Sequence, residues 1–231
     1  IYTDVEGIFS ADPRITDKAK LLKEITYDEM LEMASTGARV LMARSVEFGR
    51  RYNVPIIVKP TFSEGVGTTV KEKVMEQAIV SGVTHNDKEI KFTLFGVPDQ
   101  PGIAGSVFGH LSDKGVNVDM IVQNVSKDSK TDISFTAPEE QQDEVMNILS
   151  NLTSDLKAEG SDKDENIARV SIIGAGMKSE SGVASKMFKI LGSNKINIGM
   201  ISTSPIRISC VISKNDMQKA IEVLHDEFII E

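Results

Sequence analysis

The sequence has little of several residue types, and each shortage narrows what the protein can do. Of its 231 residues, one is cysteine and three are histidine. The lone cysteine, Cys210, cannot form an internal disulfide and fits a small buried hydrophobic residue better than a reactive thiol. The histidines are far apart in the sequence, so nothing in their spacing supports a metal site.

Positive charge and long apolar runs are also scarce. The formal net charge is −8 and no basic stripe occurs, so we expect no nucleic-acid partner. A run of about 18 apolar residues is lacking, as is a charged leader followed by an apolar stretch, so we expect neither a membrane span nor a signal peptide. A cytoplasmic location is the default expectation. The length allows one large or two small domains, each able to bury a core.

What the sequence does contain is an internal repeat. When the chain is shifted by 80 residues, Gly102, Ala104, Phe108, Leu111, Asn117, Met120 and Ile121 fall on Gly182, Ala184, Phe188, Leu191, Asn197, Met200 and Ile201. Seven identities without a gap, at matching loop, helix and strand positions, are hard to obtain by chance. The chain therefore contains a duplicated module.

The two copies predict the same order of elements, which is strand, helix, strand, strand, helix. The first copy has a strand at Ile90–Val97, a helix ending near Gly115, strands at Val116–Val125 and Thr131–Ala137, and a helix at Gln141–Leu152. The second copy has a strand at Ala168–Gly174, a helix ending near Asn194, strands at Ile196–Ser202 and Ile206–Ser213, and a helix at Asn215–Phe228. With one further strand each, this is the split βαβ unit of ferredoxin-like folds.

The further strand of each copy is less obvious. The first copy should find its last strand in the polar stretch Asp155–Asn166. The second copy reaches the C-terminus without one, and the strand Ala78–His85 belongs to neither copy by order. We therefore expect Ala78–His85 to complete the second copy, which makes the first copy an insertion within the second.

At this point both copies resemble ACT domains, and the sequence around them resembles the C-terminal half of aspartate kinases. The motifs that carry the resemblance are Phe95-Gly-Val-Pro-Asp-Gln-Pro-Gly102, Val122-Gln-Asn-Val-Ser126, Thr131-Asp-Ile-Ser-Phe135, Gly174-Ala-Gly-Met-Lys-Ser179, Ile201-Ser-Thr-Ser204 and Ile206-Arg-Ile-Ser209. The resemblance implies an α+β fold of tandem ferredoxin-like (βαββαβ) ACT domains, the first inserted in the second, after a partial α/β amino-acid kinase segment. The implied domains are residues 1–70, residues 88–165, and residues 71–87 plus 166–231.

The start of the chain, Ile1-Tyr-Thr-Asp-Val-Glu-Gly7 and Ala11-Asp-Pro-Arg14, resembles the late nucleotide-binding segment of the amino-acid kinase fold. The resemblance implies a remnant of a nucleotide site formed by Thr3, Asp4, Phe9, Arg14 and Arg39. Phe9 stands where the family often has tyrosine, and Arg39 stands where it has lysine. Without the resemblance, the same stretch predicts a turn at Gly7 and Pro13 that leads to an amphipathic helix over Tyr27–Tyr52.

The chain begins with Ile1, and its 231 residues contain no Lys-Phe-Gly-Gly phosphate loop. We expect the tail of the catalytic domain and the whole regulatory region, with no catalytic residue and no cofactor in this chain; ATP and Mg would act in the complete enzyme. A strand is predicted at Val54–Val58. The Gly-rich stretch Ser63–Thr69 after it lacks the lysine and helix of a P-loop and predicts a linker or surface turn.

A sensor of free amino acids must hold an ammonium group and a carboxylate at a fixed separation. Asp99 is an acidic acceptor just before a helix, and Gly102 and Ala104 are small residues in its first turn, where backbone amides and the helix dipole favour a carboxylate. The alternative is that Asp99-Gln-Pro-Gly102 merely connects a strand to a helix with an N-terminal proline.

The facing strand supplies further candidates. Its start carries Asn117, Val118 and Asp119, and Gln123 lies further along it. The resemblance implies that the feedback inhibitor is bound by Asp99, Gly102, Ala104, Gln123 and Ser134, together with Asn197 and Ile198 of a partner unit. We also expect a bulky residue at Ser126 to weaken inhibition. Ser179 stands at the position of Asp99 in the second copy, so the two copies should not bind the same ligand equally.

Two functions stay open from the sequence. One is the regulatory region of aspartate kinase, which converts ATP and L-aspartate to 4-phospho-L-aspartate, with threonine, lysine or both as feedback inhibitors. The other is a free-standing regulatory subunit or a non-enzymatic amino-acid-binding module. In either case we expect a homodimer formed through the ACT units and association with a catalytic domain or subunit.

Overall fold

The computed structural model describes residues 1–74, 78–125 and 129–229. The chain forms two compact units, one of Ile1–Asn86 with Ala168–Glu231 and one of Asp87–Ile167. We call residues 1–71 the N-terminal segment, residues 87–167 the first copy, and residues 78–86 with 168–229 the second copy. No helix in the described ranges is long and apolar enough to cross a membrane.

The strands and helices alternate along the chain. The strands are β1 (Tyr2–Thr3), β2 (Glu24–Thr26), β3 (Ile56–Pro60), β4 (Thr68–Lys71), β5 (Gly82–Asn86), β6 (Glu89–Pro98), β7 (Ile121–Val125), β8 (Lys130–Pro138), β9 (Gly160–Asp164), β10 (Ile167–Ile173), β11 (Met200–Ser204) and β12 (Arg207–Ser213). The helices are α1 (Tyr27–Ser35), α2 (Ala43–Arg51), α3 (Ile103–Asp113), α4 (Gln142–Asp155), α5 (Val183–Ser193) and α6 (Met217–Ile229).

The N-terminal segment contains two helices where the sequence predicts one. The prediction of a single helix over Tyr27–Tyr52 is wrong, because α1 ends at Ser35 and α2 begins at Ala43. Gly37 lies between them with a φ of +122°, which is outside the helical region. A Cβ at Gly37 would approach the carbonyl oxygen of His85 to 1.8 Å, so the glycine allows the chain to turn closely against β5.

A small mixed sheet completes the N-terminal segment. Its strand order is β1-β3-β4-β2, with β1 parallel to β3, β3 antiparallel to β4, and β2 parallel to β4. The predicted strand at Val54–Val58 appears as β3, shifted by two residues. The predicted linker at residues 63–69 ends within β4, so its last two residues pair in the sheet. The sequence does not indicate β1 and β2, which are two and three residues long.

The second copy has a four-stranded antiparallel sheet in the order β11-β12-β10-β5. The register places Gly82 opposite Ile173 and Asn86 opposite Arg169. The strand before the first copy therefore pairs with the strand after it. The α+β fold class is confirmed, and so is the insertion of the first copy in the second. The boundaries of the three predicted domains stay a prediction, since the N-terminal segment and the second copy share one compact unit.

The first copy has its own sheet in the order β7-β8-β6-β9. Phe92 and Phe135 stack in its core with ring centroids 5.6 Å apart, and Phe108 of α3 contacts Phe135 edge-on at the same distance. The predicted final strand is β9. The predicted strand Val116–Val125 is shorter in the structure, because residues 116–120 form a connection from α3 and β7 begins only at Ile121.

The outer edge of β5 is covered by the N-terminal segment. The N–H of Val83 donates to the carbonyl of Ser10 at 2.7 Å. The hydroxyls of Thr36 and Thr84 are 2.6 Å apart and both residues are buried. An open strand edge invites pairing with other chains, and these contacts remove that possibility for β5.

A buried histidine joins the same two regions. His225 of α6 is fully buried, and its Nε2 lies 2.8 Å from the hydroxyl of Ser10. Its Nδ1 finds no hydrogen-bond partner among the described residues. Burial lowers the pKa of His225; Lys20 and Lys18 act in the same direction, and Asp226 acts against them.

This histidine should make the stability of the compact unit that contains it, residues 1–86 with 168–231, depend on pH. The pKa of His225 is lower in the folded chain than in the unfolded chain, where it is about 6.5. Below that pH the unfolded state binds more protons, so the free energy of unfolding falls as the pH falls. His225→Gln should flatten this dependence in denaturant titrations at pH values of about 7.5, 6.5 and 5.5.

The control is His110→Gln, because His110 lies exposed near the end of α3 in the other unit. This variant should keep the dependence of the parent chain. Equal slopes of unfolding free energy against pH for the parent and His225→Gln would contradict the role given to His225.

Candidate functional site

The N-terminus of α3 is open to a ligand. Gly102 caps this helix with a φ of +93°, no side chain among the described residues caps it, and its first turn holds no acidic residue. A Cβ at Gly102 would meet no atom within 4 Å, so the glycine is required by its backbone conformation and not by crowding. The N–H of Ile103 donates to the carbonyl of Gln100 at 3.3 Å, and the amide of Ala104 lies at the positive end of the helix dipole with no acidic side chain of the first turn as a counter-charge.

Asp99 lies beside this helix end. It is exposed, and its backbone N–H donates to the carbonyl of Ser129 at 2.8 Å. That bond fixes the backbone between β6 and α3 and leaves the carboxylate at the surface. Asp99, Gly102 and Ala104 thus lie within one short connection, as the sequence predicts.

Gln123 lies on the helix side of the sheet. In the register of β7 and β8 it stands opposite Ile133, which is fully buried in the core under α3 and α4. Residues directly opposite one another share a face of the sheet, so Gln123 also points to the face that carries α3. Its side chain is exposed because β7 is an edge strand.

Ser134 lies on the other face. It is the neighbour of Ile133 and Phe135, which are both buried in the core, and successive residues of a strand alternate between faces. Its hydroxyl lies 3.0 Å from the hydroxyl of Thr93 on β6. The structure therefore does not bring Ser134 together with Gln123, and its role in ligand binding stays a prediction.

The candidates after α3 lie at the opposite end of the strands. Asn117 is exposed, and its backbone N–H donates to the side chain of Gln141 at 3.4 Å. Val118 packs against the core, and the N–H of Asp119 donates to the carbonyl of Thr136. These residues precede Ile121, the first residue of β7. The helix α3 begins near the other end of β7, close to Val125.

The remaining effector candidates lie elsewhere. Asn197 is exposed and Ile198 packs against the core of the second copy, so both belong to the unit that does not contain Asp99. Ser126 lies outside the described residues. The assignments of Asn197, Ile198 and Ser126 stay predictions.

The second copy has a pocket at the equivalent helix N-terminus. A cavity of about 440 Å³ lies at the N-terminus of α5, where Gly182 has a φ of +91°. Its lining comprises Met177, Lys178, Glu180, Gly182, Val183, Ala184, Thr203, Ser204, Pro205 and Ile208.

This cavity corresponds to the site of the first copy. Thr203 stands opposite Ile208 in the ladder, as Gln123 stands opposite Ile133. Met177 and Thr203 were not predicted from the sequence as site residues. The 80-residue offset that defines the repeat could have found them, since it aligns Thr203 with Gln123 and Met177 with Val97.

The nucleotide-site candidates are dispersed along the N-terminal segment. The hydroxyl of Thr3 donates to Asp4 at 3.0 Å, and Phe9 forms an isolated bridge with Leu21. The side chain of Arg14 is 87% exposed and pairs with Asp12 at 2.7 Å, a bond that lowers the pKa of Asp12. Arg39 is exposed. Their role in a nucleotide site stays a prediction.

Two further groups bear on the chemistry. Cys210 is buried, and burial raises the pKa of its thiol to about 12, so the reactive thiolate is disfavoured. In the ranges that the structure describes, no group of three or more His, Cys, Asp or Glu side chains could hold a metal ion.

Comparison with known proteins identifies both regions of the chain. The ACT domain family matches residues 93–152 and 170–228, and the amino acid kinase family matches residues 1–60. An aspartate kinase of Stutzerimonas stutzeri is 46% identical over 234 residues, which are 100% of this chain and 57% of that protein. The chain therefore spans little more than half the length of this relative.

Solved structures agree with these matches. The ligand-free regulatory subunit of aspartate kinase from Thermus thermophilus is 36% identical with a TM-score of 0.62, and the match covers 65% of this chain and 99% of that chain. Aspartokinase III of E. coli, in complex with lysine and aspartate, is 25% identical with a TM-score of 0.78, and the match covers 99% of this chain and 51% of that chain. The chain belongs to the aspartokinase family, within which it comprises an amino-acid kinase segment and two ACT domains.

Proposed function

We propose that this chain is the regulatory region of an aspartate kinase and that it binds threonine or lysine as a feedback inhibitor. The observation that carries the proposal is the duplicated helix N-terminus at Gly102 and Gly182, neither of which is capped by a side chain of the described residues. In the second copy this arrangement lines an open pocket of about 440 Å³, which is large enough for a free amino acid.

The chemistry of the first copy fits an amino acid. The amides at the start of α3 would donate hydrogen bonds to the ligand's carboxylate, because they and the helix dipole present positive charge there. Asp99 would accept a hydrogen bond from the ligand's ammonium group or hydroxyl, and Gln123 would contact the ligand from β7. The lysine present in the E. coli structure supports a charged amino acid as a ligand of this family.

Asp99→Ala should weaken binding of the amino acid without unfolding the first copy, since the carboxylate is exposed. A hydrogen bond that involves a charged group contributes roughly 1.5–3 kcal/mol, so the dissociation constant should rise about ten- to a hundredfold. Isothermal titration calorimetry with lysine, threonine, methionine and leucine measures this directly.

Asp113→Ala is the matched control, because Asp113 is an exposed aspartate at the opposite end of α3. It should bind like the parent chain. If no amino acid binds more tightly than about 1 mM, or if Asp99→Ala binds like Asp113→Ala, the effector assignment is wrong.

We propose that the whole protein phosphorylates L-aspartate with ATP and Mg, and that these 231 residues alone do not. The amino-acid kinase match covers residues 1–60, and the sequence contains no Lys-Phe-Gly-Gly phosphate loop. Phosphoryl transfer depends on groups that surround the phosphates and stabilise their charge.

The purified chain should therefore form no aspartyl phosphate above background in a hydroxamate assay with ATP, Mg and aspartate. A complete aspartate kinase assayed in parallel shows that the conditions are sufficient. Product formation that rises in proportion to the concentration of the chain would refute the proposal.

We also propose a homodimer formed through the ACT domains. The edge strands β7 and β11 expose the equivalent residues Ile121 and Ile201, at 51% and 44%. Exposed apolar residues on an open strand edge favour pairing with a second chain. Sedimentation at micromolar concentration should give the mass of a dimer with and without amino acids, and a monomeric mass in both conditions would exclude it.

A second candidate is a regulatory subunit that acts with a separate catalytic chain. The observation that favours it is the match to 99% of the Thermus thermophilus regulatory subunit. The mass of the native gene product decides between the two, because a regulatory subunit would have a mass close to that of these 231 residues and a whole kinase would have a mass close to that of the Stutzerimonas stutzeri enzyme.

A further inference from the structure

Glu29 joins helix α1 of the N-terminal segment to the second copy. It is 3% exposed, and its Oε2 accepts from the backbone N–H and the hydroxyl of Thr26, which caps α1. Its Oε1 accepts from the hydroxyl of Ser81 at 2.6 Å and from the backbone N–H of Ala175 at 2.9 Å. One carboxylate thus caps its own helix and also holds the turn that follows β10.

Glu32 joins the same helix to a second place in the second copy. Its Oε1 accepts from the hydroxyl of Ser204 at 2.9 Å, and its Oε2 pairs with Nη1 of Arg207 at 3.1 Å. The side chains of Glu32 and Arg207 are only 22% and 16% exposed, so water screens this pair weakly. Ser204 and Arg207 face each other across the turn between β11 and β12.

These two contacts reach the two walls of the 440 Å³ cavity. One wall is the stretch from the turn at Ala175–Lys178 to the start of α5, and it supplies Met177 and Lys178. The other wall is the β11–β12 turn, which supplies Ser204. Glu29 and Glu32 are three residues apart on α1 and therefore lie on one face of that helix.

We propose that α1 is the coupling element between this cavity and the N-terminal segment, with Glu29 and Glu32 as its two positioning residues. A change in the separation of the cavity walls moves α1, and a movement of α1 changes the walls. The regulatory consequence rests on the proposed function, since an amino-acid effector is what would change the walls.

The link is stiff for a physical reason. If Ala175 or Ser81 moved away from Glu29, a buried carboxylate would lose hydrogen bonds that water could not replace. Asp28 offers a contrast on the same helix, because its carboxylate is half exposed and pairs with Arg50 of α2 within the N-terminal segment. The coupling is therefore specific to one face of α1.

The first test needs no ligand. Amide hydrogen exchange, followed by NMR on the whole chain, compares the parent with Glu29→Gln, Glu32→Ala and the control Asp28→Asn. Glu29→Gln should speed exchange at Ala175, and Glu32→Ala should speed exchange at the four amides of residues 203–207, among which Pro205 has none, each about tenfold, while Asp28→Asn leaves both regions unchanged. Glu32 is not fully buried, so Glu32→Ala remains a usable variant if Glu29→Gln does not fold.

The inference is overturned if Glu32→Ala leaves the exchange of residues 203–207 as in the parent, or if Asp28→Asn changes that exchange as strongly. These outcomes decide the coupling whether or not an amino acid binds.

The second test adds L-lysine or L-threonine as the probe. Binding to the parent should change the exchange rates of residues 27–35 of α1, and Glu32→Ala should lose that change while it still binds in calorimetry. Binding that persists in Asp99→Ala, and therefore lies outside the first copy, overturns the inference if α1 does not respond to it. If neither amino acid binds, the proposed effector function fails, and the first test alone then supports or overturns the coupling.

Discussion

The pairing of β5 with β10 is the contact on which the second copy depends. It joins Gly82–Asn86 to the strand that follows the first copy, so the sheet is complete only when residues 87–167 are accommodated between the edge strand β5 and its neighbour β10. The entropy cost of closing a loop grows slowly with its length, so an insertion of this size is tolerated. The burial of Val83, Val170 and Ile172 offsets that cost. Without β5, the second copy would have three strands and β10 would become an open edge.

The same strand makes the N-terminal segment inseparable from the second copy. Ala11 of the N-terminal segment is buried in the core of the second copy, and Ile173 of β10 is buried in the core of the N-terminal segment. Each core therefore includes a residue of the other. Together with the hydrogen bonds of Ser10 and Thr36 to β5, this exchange explains why the two regions form one compact unit although they match different families.

The sequence predicts the elements of the two copies well because their apolar residues recur with the helical period and because the repeat gives each element twice. Local pattern is insufficient where an element is short or a contact is distant. Strands of two or three residues such as β1 and β2 have no measurable alternation of apolar and polar residues. Gly37 lies between two helices, and the apolar pattern across both helices predicts a single one.

The candidate site was likewise predictable from the sequence only in part. The glycine at 102 and the acidic residue at 99 are visible in the sequence, and the structure places both in one connection. The sheet face of Ser134 could have been predicted from the sequence, because its neighbours Ile133 and Phe135 are apolar core residues and successive strand residues alternate between faces. The role of Glu29 was not predicted from the sequence, because its bond to Ala175 spans 146 residues of chain.

The two copies share residues that the fold requires, and they differ at residues beside the candidate ligand site. Gly102 and Gly182 both have a φ near +90° that other residues rarely adopt, so the backbone alone is enough to retain them. The hydroxyl pair Thr93–Ser134 recurs as Ser171–Ser209 on the sheet face opposite the helices, where each hydroxyl satisfies the other. The positions that differ are those beside the helix N-terminus, where Asp99 and Gln123 of the first copy are replaced by Ser179 and Thr203. Both helix ends offer the same backbone amides and the side chains around them change, so under the proposed function the two copies would share the means of holding a carboxylate and would differ in the rest of the ligand that they select.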